Sequence, residues 1–128
     1  MKLLLDTCTF LWIITEAPQL SFEALDLFTE PDNEVFLSSV STWEIAVKHA
    51  MGRLPLRESP AEFVPAMRES HGIEPLSLDE QSTLYVGRLP THHRDPFDRM
   101  LICQAIVHDL VILTPDKDIR EYPVKSRW

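Results

Sequence analysis

Two segments of this 128-residue chain lack the polar–apolar alternation of a half-exposed strand. Lys2 to Leu5 is apolar up to Asp6, and Leu110 to Thr114 is a β-branched apolar run. Such continuous runs belong to strands covered on both faces, as in parallel sheets. Two further strands are expected at Glu34 to Ser38, after the turn Pro31-Asp32-Asn33, and at Ile73 to Leu76. Helical signals fill the intervals. Thr7 to Glu16 is stopped by Pro18, and Ser21 to Glu30 carries Phe22, Leu25 and Phe28 at helical spacing. Ser41 to Met51 has Trp43, Val47 and Ala50 on one face and Gly52 as its stop. Pro60 to His71 contains Pro65, and Leu78 to Leu89 is a further helix. Asp95 to Asp109 has the apolar face Met100, Ile102, Cys103, Ile106 and Val107. Strands alternating with helices predict βαβ units, an α/β fold with helices on both faces of a parallel sheet.

The length fits one domain, residues 1–128, and no linker, repeat or low-complexity segment divides it. No apolar run approaches the roughly 18 residues of a membrane span. Thr9 to Ile14 is too short for a signal-peptide core, so a cytoplasmic location is expected. Cys8 and Cys103 form neither a disulfide framework nor a paired-cysteine metal motif. Three glycines exclude phosphate-binding glycine loops and dinucleotide fingerprints. The net charge is −8, a poor balance for gripping nucleic acid through phosphates. Residues 1–84 carry five basic and fourteen acidic residues, whereas residues 85–128 carry seven and six. Nucleic-acid chemistry must therefore be argued from a site.

The acids supply one. Asp6 ends the first strand and Asp116 follows the last, while Glu44 and Asp98 are expected in the first turns of their helices. Right-handed crossovers bring strand C-termini and helix N-termini to one edge, where open α/β sheets bind ligands. Two carboxylates about 4 Å apart at an effective dielectric of about 20 repel by roughly 4 kcal/mol. A hard divalent cation with oxygen ligands relieves that repulsion, and Mg²⁺ or Mn²⁺ suits phosphodiester hydrolysis. Each acid also has a plainer reading. Ser41-Thr42-Trp43-Glu44 is a capping-box pattern, and Asp95-Pro96-Phe97-Asp98 reads as a cap, a proline and a dipole-favoured acid. Asp6 fits only as an N-cap, and Asp116 with Asp118 fits an Asx turn. The readings oppose each other: neutralising a cap costs about 1 kcal/mol, whereas neutralising one acid of a cluster stabilises the metal-free protein.

These residues resemble the PIN-domain family, in its VapC branch of bacterial toxin–antitoxin toxins. The matching segments are Leu3-Leu4-Leu5-Asp6-Thr7, Ser41-Thr42-Trp43-Glu44-Ile45-Ala46-Val47-Lys48, Arg94-Asp95-Pro96-Phe97-Asp98-Arg99-Met100-Leu101-Ile102 and Leu113-Thr114-Pro115-Asp116-Lys117-Asp118. They occur in family order over nearly the full chain. The resemblance implies a three-layer α/β/α fold with a central, mainly parallel sheet of four to five strands. It also implies an acidic pocket for Mg²⁺, with Mn²⁺ able to substitute. Asp6, Glu44, Asp98 and Asp116 match the acidic quartet that binds metal and catalyses. Asp95 and Asp118 are nearby acids, Asp118 acting through water, and Thr114 and Thr7 support the ligands. At Cys8 close relatives often carry His. The implied activity is endoribonucleolytic cleavage of single-stranded or looped RNA, tRNA or rRNA, to 5′-phosphate and 3′-hydroxyl ends. The implied partners are a VapB-type antitoxin whose tail fills the pocket and a second copy in a homodimer.

Arg94, Arg99, Lys117 and Arg120 lie nearest the acids in sequence and are the candidate RNA contacts. Lys48, one turn from Glu44, is either a further phosphate contact or, more plainly, half of an intrahelical ion pair. His92 and His93 offer a general base or an RNA contact but read first as a solvated loop, Cys103 reads as core, and Trp12 and Trp43 as core or dimer contacts. Cys8 has no evident base to activate it. Two competitors remain: a non-catalytic module whose acidic pocket receives a basic peptide, and a metal-dependent phosphatase. An aspartyl-nucleophile phosphatase needs Asp-x-Asp after the first strand, and here Thr7 and Cys8 follow Asp6.

Overall fold

The computed structural model describes residues 1–128. Its strands are β1 (Lys2–Leu5), β2 (Glu34–Ser38), β3 (Glu74–Leu76), β4 (Val111–Leu113) and β5 (Ser126–Arg127). They form one sheet of order β3-β2-β1-β4-β5, with every neighbouring pair parallel. The helices are α1 (Thr7–Thr15), α2 (Phe22–Thr29), α3 (Ser39–Ala50), α4 (Pro60–Ser70), α5 (Glu80–Tyr85), α6 (Pro96–Val107) and α7 (Lys117–Arg120). A 3₁₀ turn, Val86–Arg88, extends α5. The α/β/α expectation is met with five wholly parallel strands. No helix is long and apolar enough to cross a membrane.

β1 is central because both of its faces are apolar. Leu3 and Leu5 face a core with Phe10, Ile13, Ala24, Val35, Leu37 and Ile45. Leu4, between them, faces the opposite core with Leu101, Ile102, Cys103, Ile112 and Ile119. Leu3, Leu4 and Leu5 are fully buried, and completely burying a leucine contributes about 1.5–3 kcal/mol. The chain adds β2 and β3 on one side of β1, then β4 and β5 on the other. The strand order thus reverses between β1 and β4, and such a switch opens a crevice at the strand C-termini. The Thr9 hydroxyl donates to the Leu113 carbonyl at 2.9 Å and ties the start of α1 across this switch.

Several boundaries and faces differ from expectation. α3 starts at Ser39, directly after β2, with Ser38 as its N-cap accepting from Val40 N at 3.0 Å. Its buried residues are Val40, Ser41, Glu44 and Ile45, so the Trp43–Val47–Ala50 face is not the packed one. Trp43 is 57% exposed and lies edge-on to Phe97 at 4.7 Å, not in the core. In α2 the buried residue is Ala24, while Phe22 is 90% exposed. The predicted helix over 78–89 shrinks to α5 and its 3₁₀ turn, with Asp79 as its cap. Two elements were not expected: α7 is one turn, and β5 is two polar residues recruited through backbone pairing with Ile112 and Leu113. Pro65 is accommodated inside α4 at an exposed position. Gly52 takes φ +72 just past α3, as its stop role requires. Trp12 meets Trp128 edge-on at 5.8 Å.

One buried polar link ties α6 to the ends of β2 and β3. Gln104 on α6 has no exposed surface; its carbonyl accepts from the Ser38 hydroxyl and its amide donates to the Ser77 carbonyl at 3.2 Å. Gln104→Met keeps the volume and strips both partners of their bond. We expect a loss of about 2 kcal/mol, read from urea unfolding midpoints at unchanged m-value.

Candidate functional site

The C-terminal edge at the switch between β1 and β4 collects the acids. Asp6, immediately after β1, is 5% exposed and caps α1, its Oδ1 accepting from Thr9 N at 2.8 Å. Its Oδ2 accepts from the Thr114 hydroxyl at 2.5 Å. Thr114 Oγ1 in turn accepts from Asp116 N at 3.0 Å, so one hydroxyl fixes the acids that follow β1 and β4. Asp116 caps α7, accepting from Asp118 N at 2.8 Å. Asp95 caps α6, with Oδ1 accepting from Phe97 N at 2.9 Å and Asp98 N at 3.3 Å. The capping reading therefore holds for Asp6, Asp95 and Asp116, and two of these caps also meet other acids: Asp116 acts on Asp6, and Asp95 lies beside Asp98.

Glu44 is different. Because α3 begins at Ser39, Glu44 lies in its second turn and takes no part in a capping box, contrary to expectation. It is 5% exposed, with Oε1 accepting from the Thr7 hydroxyl at 2.7 Å and Oε2 held by the Lys48 ammonium. Thr7 Oγ1 also lies 3.0 Å from Ser41 Oγ, which explains why Ser41 is buried.

Electrostatics links the group. Burial pushes the Asp98 carboxyl up to about 7, and Asp95, Glu44 and Asp6 push the same way against a bond from His93. Burial raises Asp6 above the ordinary range, Asp116 adding to it against the bonds from Thr114 and Thr9. The Cys8 thiol is pushed up to about 11 by burial and by Asp6, Glu44 and Asp98, so it is not a poised nucleophile.

His93, read from sequence as solvated, is part of the site. Its Nε2 lies 3.1 Å from Asp98 Oδ2 and its Nδ1 lies 3.8 Å from Asp118 Oδ2. Burial lowers its proton affinity, but Asp98, Asp118 and Asp95 outweigh that and raise it. Ligand atoms of His93, Asp95 and Asp98 lie within 4.8 Å of one another. The loop carrying His93 is pinned from behind: His93 N donates to Tyr122 Oη at 2.8 Å, and Arg99 donates to Tyr122 Oη at 3.1 Å and to the Pro90 carbonyl at 2.7 Å. Arg99 is thus engaged as a loop clamp. Arg94, Lys117 and Arg120 are exposed. The sequence marks His93 only by its place two residues before the Asp95 cap.

The acids occupy an open edge. A cavity of about 410 Å³ is lined by Ser39, Thr42, Trp43 and Ala46 of α3 together with Val64, Arg68 and Leu76, and contains none of them. The donor set is hard carboxylate oxygen with one imidazole, which suits Mg²⁺ or Mn²⁺.

Comparison with known proteins supplies context. The sequence profile of the PIN domain matches residues 3–125. The chain is 33% identical over 72 residues to Ribonuclease VapC16 of Mycobacterium tuberculosis, covering 53% of this chain and 51% of that protein. The match thus spans about half the length of that curated relative. The fold superposes on VapBC2 from Rickettsia felis bound to a promoter DNA fragment, with TM-score 0.75 and 17% identity over 99% of this chain and 98% of that one. It also superposes on DNA-bound VapBC from Salmonella typhimurium, with TM-score 0.68 and 21% identity over 99% and 97%.

Asp98, Asp6 and His93 all have raised proton affinity in the folded state. A native state that binds more protons than the unfolded chain loses stability as pH rises. For Asp98 the window runs from its ordinary 3.8 to about 7. Chelator-treated protein is expected to unfold more easily at pH 8 than at pH 5 in urea titrations. Asp98→Asn should flatten that slope and be more stable than the parent at pH 8; a slope unchanged by Asp98→Asn would remove Asp98 from the charge cluster.

Proposed function

The chain belongs to the PIN-domain family, and on that premise we propose that it is a divalent-metal-dependent endoribonuclease, a VapC-type toxin restrained by a VapB-type antitoxin. The observation that carries this reading is the gathering of Asp95, Asp98 and His93, whose ligand atoms lie within 4.8 Å of one another, at the same sheet edge as Asp6, with the Asp98 carboxyl raised by its burial and its acidic neighbours. A protein has little reason to bury acids that repel unless a cation joins them. The ribonuclease name of the M. tuberculosis relative supports the activity, and the VapBC complexes among the structural neighbours support the antitoxin. A homodimer acting in the cytoplasm on tRNA or rRNA, leaving 5′-phosphate and 3′-hydroxyl ends, completes the proposal.

Asp6, Asp98 and Asp116 would hold the metal, with Glu44 beside them and with Asp95 and Asp118 at the margin. Bound there, Mg²⁺ or Mn²⁺ lowers the pKa of an attacking water and offsets charge on the phosphate oxygens. The protein's own contribution is positional. Thr114 holds Asp6 by its hydroxyl and the start of α7 through Asp116 N, which keeps two strand ends in register. Thr7 does the same for Glu44 from the first residue of α1. His93 shares a hydrogen bond with Asp98 and is placed to hold or release a proton there. Arg94, Lys117 and Arg120, exposed around the edge, are available to the flanking phosphates of an unpaired strand.

The test is cleavage of a tRNA and rRNA pool by purified, antitoxin-free protein with Mg²⁺ or Mn²⁺. Discrete fragments are expected, abolished by chelator and reduced at least about 100-fold by Asp98→Asn. Fragments that persist in chelator or in Asp98→Asn overturn the assignment. Thr114→Val should bind Mn²⁺ about 10–100-fold more weakly in calorimetry, as loss of a ligand's supporting bond does.

A further inference from the structure

Of the four acids in the quartet, Glu44 alone carries a lysine. A surface pair at i,i+4 usually leaves both ends in water and contributes little. Here the carboxylate is only 6% exposed while the lysine side chain is 44% exposed. Both Glu44 oxygens are engaged, one by Thr7 and one by Lys48, so the carboxylate has no freedom to swing. The flexible partner is therefore the one that is anchored, and its side chain stays partly exposed. That charge sits among the acids: Lys48 feels Glu44 and Asp95, and Cys8, which feels Lys48, also feels Asp6 and Asp98. Arg94, Lys117 and Arg120 are exposed around the edge, while three other basic groups are committed elsewhere. Arg99 clamps the His93 loop, Arg127 pairs with Glu23 at 2.8 Å, and Lys125 pairs with Asp109 at 2.8 Å. A chain of net charge −8 needs a cation at the point where a polyanion must approach acids.

We propose that Lys48 is a substrate-binding residue whose ammonium, anchored over the acidic edge by Glu44, contacts a phosphate of the bound RNA. The inference rests on the nuclease reading of the site. It separates Lys48 from a plain helix ion pair by two effects of opposite sign. Removing a positive charge beside a cation site favours the metal, whereas removing it beside a phosphate disfavours RNA.

Lys48→Gln is the variant of choice, because its amide still donates to Glu44. Calorimetry with Mn²⁺ alone should show binding about 5-fold tighter than in the parent. Fluorescence anisotropy with a labelled single-stranded oligoribonucleotide in Ca²⁺ should show binding about 10-fold weaker, with the salt slope reduced by about 0.7. Lys48→Arg should keep the salt slope of the parent. Acetic anhydride labelling of the unaltered protein, read by mass spectrometry, needs no variant: RNA should protect Lys48 from acetylation. Parent-like RNA affinity in Lys48→Gln, or a Lys48 labelled equally with and without RNA, overturns the inference and leaves the nuclease reading standing. A parent protein that binds neither Mn²⁺ nor RNA overturns both.

Discussion

Carboxylates gathered on one sheet edge repel one another, so the rest of the fold must hold them there. The restraint begins with β1, whose leucines face two separate cores and hold it at the centre of the sheet. With β1 fixed between β2 and β4, the ends of β1 and β4 have to emerge side by side. Asp6 and Asp116 then meet through Thr114, whatever their charges prefer. The apolar cores supply the stability, and the acidic edge draws on it.

Helix capping gives the same acids a local reason for their positions. Asp6, Asp95 and Asp116 each receive amide hydrogens at a helix start, where the partial positive charge of the helix end also favours them. Capping and clustering looked like rival explanations when each residue was considered alone. In three dimensions they are one arrangement, because a parallel sheet delivers its helix N-termini to the edge that collects its strand ends. Glu44 lies outside this scheme. It sits a turn into α3 and relies on Thr7 and Lys48 instead.

Pattern alone locates β1 and β4 by their unbroken apolar runs and α6 by the Asp95-Pro96 start, although the buried part of α6 is the stretch Leu101 to Ala105 and not the expected Met100, Ile102, Cys103, Ile106 and Val107 face. It fails where burial depends on neighbours distant in sequence. The buried stripe of α3 is Val40, Ser41, Glu44 and Ile45, half polar, and no hydrophobic period announces it. Trp43 and Phe22 have the composition of core residues yet lie on the surface, Trp43 touching Phe97 of α6 only edge-on. β5 exists because β4 offers an open edge to Ser126 and Arg127, not because those residues favour a strand. Of the four principal acids, Asp6, Asp98 and Asp116 could be placed at element ends from sequence, whereas Glu44 sits a turn deeper in α3 than expected. His93 could not, because its role comes from a loop fastened by Tyr122, which is 29 residues further along.

The bond between Thr114 and Asp6 spans 108 positions. During vectorial synthesis the first acid leaves the ribosome long before its partner hydroxyl has been made. Until β4 docks beside β1, Asp6 lacks Thr114 and Asp116, and α1 lacks its tie to the Leu113 carbonyl. A nascent chain therefore carries its acids dispersed along an unfinished sheet. The centre closes as a late, long-range event, so a chain cut short before β4 lacks one wall of it.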